Sequence, residues 1–224
     1  AGPVTEADIA VNQMLIAFLR SERPDYGWLS EESEDDLSRL EKQVCFIIDP
    51  IDGTRSFVKG DKTWAHSFAV TENGIPSVAV VYLPALSFLY VARIGKGAFL
   101  NSKPISVSSQ TVLESANVLA ANISKQPRYW KNASIPDFSR HHRPSLAYRL
   151  ALVAEGRFDA MITFRNTWEW DICAGALIAT EAGAVVSDRS GKLLTFNDTV
   201  PIKEGVIAAG RTLHKDILSR SNPH

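Results

Sequence analysis

The chain has few thiols and no excess of charge of either sign. Cys45 and Cys173 are its only cysteines in 224 residues, and each lies in an apolar stretch. That excludes a disulfide framework and reads as two core thiols in a reducing, cytoplasmic compartment. Lys+Arg number 24 against 25 Asp+Glu, a net of −1. Nothing in that balance, and no basic run, draws the chain to nucleic acid or to an anionic membrane. Glycine shows no triplet period, and repeats and low-complexity tracts are missing, which excludes collagen and disorder. No basic patch followed by an apolar core opens the sequence, so no signal peptide is visible. It starts abruptly on Ala1-Gly2-Pro3-Val4, which raises the expectation of a further segment upstream. Long hydrophobic runs are scarce too. Ile75–Ala92 carries no charge and approaches the ~20 residues that span a bilayer. Pro76 and Pro84 interrupt it, and Val, Tyr and Phe dominate, so it predicts a β-meander and not a transmembrane helix.

What is present is ordinary globular material, 45% apolar and 22% charged, enough for one large domain or two small ones packed together. Thr5 reads as an N-cap, and Val11, Met14, Leu15, Phe18 and Leu19 follow the spacing of a helix with one buried face, ended by Arg23-Pro24-Asp25. An acidic stretch, Ser30–Asp36, precedes Val44-Cys45-Phe46-Ile47-Ile48, apolar at every position like a strand buried on both faces. Glu72-Asn73-Gly74, Leu83-Pro84-Ala85 and Gly95-Lys96-Gly97 punctuate a meander from Ala65 to Leu100. After a polar stretch from Gln110 to Arg143, elements alternate: helix Ser145–Glu155, strand Phe158–Phe164, helix Asp171–Ala182, strands Ala184–Ser187 and Val206–Ala209, helix Leu213–Leu218. The layout predicts a mixed α/β fold. It divides into an N-terminal α+β subdomain, 1–110, and a C-terminal α/β subdomain, 111–224.

The strongest local signal is Asp49-Pro50-Ile51-Asp52-Gly53-Thr54, where a buried strand ends. Strand-end loops are where α/β proteins place ligand sites. Two carboxylates three residues apart on such a turn can share one hard cation or hold two. An isolated run of this kind is also compatible with a plain Asp/Gly turn. Glu31-Glu32 alone is compatible with a solvated acidic face, and Asp171 alone with a helix N-cap.

Together these residues resemble the inositol monophosphatase superfamily of Mg²⁺-dependent, lithium-sensitive phosphomonoesterases. The likeness runs from Pro3-Val4-Thr5-x-x-Asp8 through Ser30-Glu31-Glu32 and the D-P-I-D-G-T run to Trp170-Asp171-x-x-Ala174-Gly175, in matching order and spacing. It implies a layered α-β-α-β-α sandwich of the inositol monophosphatase and fructose-1,6-bisphosphatase type, and a homodimer. It also implies Glu31, Asp49, Asp52, Asp171 and the Ile51 carbonyl as ligands of two or three Mg²⁺. Asp49 would bridge two ions, with Glu31 on the ion that activates water. Thr54 and Asp8 match the pair that orients that water, and the N–H groups of Gly53 and Thr54 match a phosphate cradle. Elementary charge arithmetic agrees: converging carboxylates cannot all stay ionised unless cations compensate.

The departures lie at the substrate end. Ser30 and Cys173 replace a usual Gly and Ala, both small changes. Inositol-cleaving members place a Glu several residues before the Trp-Asp pair; here that region is Thr163-Phe164-Arg165-Asn166, and the nearest acid is Glu169. Pro144-Ser145-Leu146-Ala147 replaces a Gly-containing segment that touches substrate. Inositol 1-phosphate ranks first, with Glu169 standing in for the missing acid. 3′-Phosphoadenosine 5′-phosphate ranks second, with Phe164 to stack on a base and Arg165 to pair with a second phosphate. Fructose 1,6-bisphosphate and histidinol phosphate follow. The substrate set is Glu31, Asp52, Gly53, Thr54, Asp171, Ser145 and Arg165. A role of another class, as a binding partner in a transcription complex without direct RNA contact, also follows from the resemblance. Other phosphatase chemistries fail on spacing, since the chain has no D-x-D at this turn and no C-x₅-R. Arg140-His141-His142-Arg143 lacks R-H-G and reads as a polar loop. His66, His214 and His224 read as surface or satisfied histidines. The tryptophans read as core or cleft wall, with Trp170 packing beside the ligand helix.

Overall fold

The computed structural model describes residues 3–222; His224 and the opening Ala1-Gly2 lie outside them. Thr5 accepts from the N–H groups of Ala7 and Asp8, and Asp8 accepts in return from the Thr5 N–H. This capping box starts α1 (Glu6–Glu22). Leu15, Ile16 and Leu19 of α1 pack on Trp28, Phe46 and Ile48. The apolar stripe read from the sequence is corrected in part, because Met14 and Phe18 are 62% and 63% exposed. The helix buries Asp8 and Asn12 instead, since the rotation that presents those two polar groups inward carries Met14 and Phe18 outward.

The first sheet runs in chain order. β1 (Gly27–Ser30) pairs parallel with β2 (Val44–Asp52). After the short helix α2 (Thr54–Val58) come β3 (Ala65–Glu72), β4 (Ile75–Leu83), β5 (Phe88–Arg93), β6 (Ala98–Leu100) and β7 (Lys103–Pro104), all antiparallel. Asn73 and Gly74 sit at φ 50° and 78°, the paired positive values of a type I′ hairpin. The uncharged Ile75–Ala92 stretch falls within β4 and β5, and no helix among the described residues is long and apolar enough to cross a membrane.

The second sheet has β8 (Asn117–Ala120), β9 (Ser139–His141), β10 (Ala160–Thr163), β12 (Ala184–Ser187) and β14 (Val206–Gly210), ordered β12-β14-β10-β8-β9. β11 (Thr167–Trp168) and β13 (Ile202–Lys203) pair separately. Between the two sheets lie α3 (Leu146–Ala154) and α4 (Glu169–Glu181), and α5 (Arg211–Arg220) packs outside β14 and β12. The layers are therefore α-β-α-β-α. One core cluster, from Leu29 to Ala208, joins both sheets to α3 and α4 and contains Cys45 and Cys173, which are free and fully buried. A second gathers Trp130 and Phe164 with Leu213 and Ile217 of α5. Gly175 lets α4 approach α3 closely: a Cβ there would stand 2.7 Å from that of Leu150.

Candidate metal centre and substrate cleft

The acids reach one point from three elements. Glu31 follows β1, and its N–H donates to the Ile48 carbonyl of β2 at 3.2 Å, so the parallel pairing places it beside the end of that strand. Asp49, Ile51 and Asp52 end β2, where the register with β3 slips between Asp49–Ser67 and Asp52–Ala65. Such a bulge re-aims side chains at a strand end. Asp171 stands in the first turn of α4, which begins at Glu169 with Trp168 as N-cap. It is therefore not the N-cap that its position alone suggested.

Carboxylate oxygens of Glu31, Asp49 and Asp171 all lie within 4.8 Å of one another. Asp49 is buried, and its Oδ1 has no hydrogen-bond partner among the described residues. Burial, then the charges of Asp52, Glu31 and Asp171, hold the Asp49 carboxyl far above the usual range. Burial, then Asp52 and Glu31, do the same to Asp171. Glu31 reaches solvent at the rim, but partial desolvation and then Glu32, Asp52 and Asp8 push it up to about 7. An orphaned buried carboxylate oxygen inside a triad of acids is costly without a counter-charge. A hard divalent cation with oxygen ligands fits that donor set.

Asp52 is placed differently. Its Oδ2 accepts from the Ser145 hydroxyl and the Ala147 N–H, both at 2.7 Å, which ties the β2 turn to the N-terminus of α3. Burial raises it to about 6 against the opposing effect of those bonds. Ser145, at φ 61°, also caps α3 by accepting from the Tyr148 N–H at 3.0 Å. Thr54 Oγ1 lies 3.0 Å from the Ile51 carbonyl and 3.3 Å from Asp8 Oδ1. Gly53 takes φ 96° at the entry to α2, a left-handed turn that favours glycine.

A cleft of about 520 Å³ opens over this point, lined by Asp52, Gly53, Thr54, Ser145 and Asp171 and, beyond them, by Arg55, Lys59, His142 and Arg149. Arg165 is exposed at the end of β10 and is not among the lining residues. Two substrate expectations are corrected. Phe164 is 1% exposed and stacks on Tyr129 with ring centroids 4.9 Å apart, so no base can reach its face. Glu169 is fully buried, ion-paired with Lys203 at 2.9 Å, and accepts from the N–H groups of Asn197 and Asp198. It is a clamp on that loop and has no acceptor free for a polyol.

Three residues escaped the sequence reading. Asn12 donates to the Glu32 carbonyl and the Ser33 hydroxyl and accepts from Ser30, fixing the loop that carries Glu31. Its signal was an i, i+4 polar pair with Asp8 on a helix face. His142 and Arg149 line the cleft although the Arg-His-His-Arg run reads as a polar loop; nothing local marked them. His66, donating to the Pro50 carbonyl from Nδ1, and His214, bonded to Ser187, are satisfied as expected. Trp170 stacks on Trp168 at 4.7 Å.

The model of the family described as "Inositol monophosphatase family" matches residues 1–224. An inositol-1-monophosphatase of Bacillus subtilis is 32% identical over 96% of this chain and 82% of its own length. A histidinol-phosphatase of Mycobacterium tuberculosis is 33% identical over 98% and 85%, and a putative Nus factor SuhB of Neisseria meningitidis 33% over 92% and 81%. The solved IMPase of Thermotoga maritima superposes with a TM-score of 0.82 at 31% identity, covering 96% of this chain and 82% of that one. With the family matched from end to end, the chain belongs to the inositol monophosphatase family and is a metal-dependent phosphomonoesterase.

Proposed function

We propose that this chain hydrolyses a small phosphorylated metabolite with two or three Mg²⁺ held by Glu31, Asp49, Asp52, Asp171 and the Ile51 carbonyl. The observation that carries the reading is the meeting of Glu31, Asp49 and Asp171 around an unpartnered Asp49 oxygen. When bound there, Mg²⁺ supplies Lewis-acid charge for the transition state at phosphorus and activates water. Thr54 orients that water: its hydroxyl donates toward Asp8 or the Ile51 carbonyl and keeps lone pairs for a water proton. Gly53 and Thr54 present N–H groups to the phosphate at the cleft floor. Residues 1–110 carry most of the ligands, and residues 111–224 supply Asp171, Ser145 and the far wall.

Inositol 1-phosphate is the first substrate candidate on the activity for which the Bacillus relative is named, and no longer on Glu169, which is committed to Lys203. The nucleotide candidate likewise loses Phe164 to the core. Lithium sensitivity, a homodimer and a cytoplasmic location belong to the same proposal and rest on the resemblance. A phosphomonoester panel with Mg²⁺, with and without lithium, tests it; no metal-dependent turnover on any member would overturn it. Thr54→Ala should lose turnover roughly 10²-fold while melting only about 1 kcal/mol less stable. Normal turnover would remove the water-orienting role. The Neisseria relative's name favours a second role in a transcription complex. A pull-down with Asp49→Asn that keeps a partner while hydrolysis is lost would support it.

A further inference from the structure

Three Lys or Arg side chains are buried among the described residues, and Arg39 is the deepest, 1% exposed against 7% for Lys203 and 8% for Arg149. It belongs to the helical turn Ser38–Glu41, which closes the acid loop, residues 31–37, that Glu31 opens. Strand β1 makes room for it: a Cβ on Gly27 would stand 2.9 Å from the Cβ of Arg39. A buried guanidinium is costly unless its donors are met, and here all three nitrogens have acceptors. Nε and Nη2 fork onto Asp35 at 3.0 and 2.8 Å. Nη1 donates to Asn197 Oδ1 at 2.6 Å, and Nη2 also donates to the Asp198 carbonyl at 2.9 Å.

Those partners lie on two separate parts of the fold. Asp35 is in the acid loop. Asn197 and Asp198 are in the loop whose N–H groups donate to Glu169, the first residue of α4 and two before Asp171. An unbroken chain of hydrogen bonds thus runs from the acid loop, through Arg39 and residues 197–198, to the helix turn that carries Asp171. The Asn197 amide returns one more bond, donating to the Arg39 carbonyl at 3.4 Å. Neither Arg39 nor Asn197 lines the cleft.

The acid loop has need of such a hold. Its start is pinned by the Glu31 N–H on Ile48 and by Asn12 on Glu32 and Ser33, but residues 34–38 are exposed. Leu37 takes φ 63°, a left-handed conformation that is unfavourable for leucine. At 43% exposed, it is not kept there by burial. Asp35 keeps it there: Oδ1 accepts from the Leu37 N–H at 3.0 Å while Arg39 fixes the same carboxylate. The oxygens of Glu31, Asp49 and Asp171 lie within 4.8 Å of one another, so once ionised these acids repel, and the repulsion drives the loop outward.

We propose that Arg39 is a positioning residue of the metal centre: it latches the acid loop to the first turn of α4 and so holds Glu31 and Asp171 at ion-binding separation before the cation arrives. This rests on the metal-centre reading above. Ligands ordered in advance lose no binding free energy to being ordered when the ion enters. Arg39 lies outside the cleft, so its effect falls on metal affinity and not on the chemical step.

Mg²⁺ affinity, measured by calorimetry without substrate, tests this in wild type, Arg39→Met, Arg39→Lys and Asn197→Gly. Folded Arg39→Met, checked by circular dichroism, should bind Mg²⁺ about 10- to 100-fold more weakly, the range for groups that orient metal ligands. Arg39→Lys keeps the charge without the fork and should recover only part of the loss. At saturating Mg²⁺, kcat of Arg39→Met should stay within about threefold of wild type. In the metal-free proteins, hydrogen exchange over residues 31–37 should be faster in Arg39→Met, with β4 and β5 unchanged. Asn197 stands at φ 66°, which glycine accepts, and Asn197→Gly keeps the backbone bonds to Glu169 while removing the amide that meets Arg39. It should weaken Mg²⁺ binding by about threefold or more, and it decides the matter where Arg39→Met does not fold. A lower Tm with Mg²⁺ affinity unchanged would make Arg39 a core brace and overturn the latch. A wild type that binds neither Mg²⁺ nor Mn²⁺ would overturn the metal-centre reading itself, and the latch with it.

Discussion

Glu169 and Asp171 stand two residues apart in α4, about 200° around the helix axis, and meet opposite fates. Glu169 turns to Lys203 and two backbone N–H groups, and every charge in that knot has a protein partner. Asp171 turns to Glu31 and Asp49, where like charges crowd and Asp49 Oδ1 has no hydrogen-bond partner among the described residues. Burial raises both carboxyls, but Lys203 pulls Glu169 back while neighbouring acids push Asp171 further up. A buried acid that closes its charge locally is a structural clamp. A buried acid left open toward others marks a place for a cation from outside.

The sharpest way to break that contrast is to remove one open acid. Asp49→Asn or Asp171→Asn should lower kcat roughly 10³-fold, because an ion that carries transition-state charge loses a ligand. Without metal, each variant should melt at a higher temperature than wild type near pH 7, since a repelling charge is gone. Near wild-type turnover at saturating Mg²⁺, or a lower metal-free Tm, would put Asp171 in the same class as Glu169.

Glu169→Gln should do the reverse. It breaks a buried pair and should cost about 3 kcal/mol in denaturant unfolding, while the folded protein still binds Mg²⁺ by calorimetry. A variant as stable as wild type would mean the knot clamps nothing.

The smallest effect is the pH dependence of the open cluster. Glu31 ionises near 4.5 when free and at about 7 when folded. The folded metal-free state thus holds more protons than the unfolded one. Its stability is full below pH 4.5 and falls as pH rises toward 7. Mg²⁺ displaces those protons, so its affinity should climb by about tenfold per pH unit for each proton released across the same window and level off above it. Affinity that is flat from pH 5 to 7, measured by calorimetry, would mean these carboxyls are already ionised.

How much of this was legible follows chain distance. The Asp49–Thr54 turn could be read directly, because Pro50, Gly53 and two acids lie within six consecutive residues. The N-cap at Thr5 and the Asn73-Gly74 hairpin were legible for the same reason, while the return bond from Asp8 that completes the capping box came from the structure. The inward face of α1 was not: a 3.6-residue period reports which side chains share a stripe, and it cannot tell that the stripe to be buried would be the one holding Asp8 and Asn12. Glu169 read as a spare acid and Phe164 as a free ring, since their partners Lys203 and Tyr129 lie more than 30 residues away.

Composition and local pattern by themselves determined the α/β class, the buried thiols, the meander and the acid-bearing turn, because caps, turns and alternation act over a few residues. Tertiary structure alone decided which acids stay unpaired and that buried Arg149 has no carboxylate within 4.0 Å among the described residues. Pairing depends on what folding brings within about 4 Å. Asp52 meets Ser145 and Ala147 from more than 90 residues away, and only the packed layers set that distance.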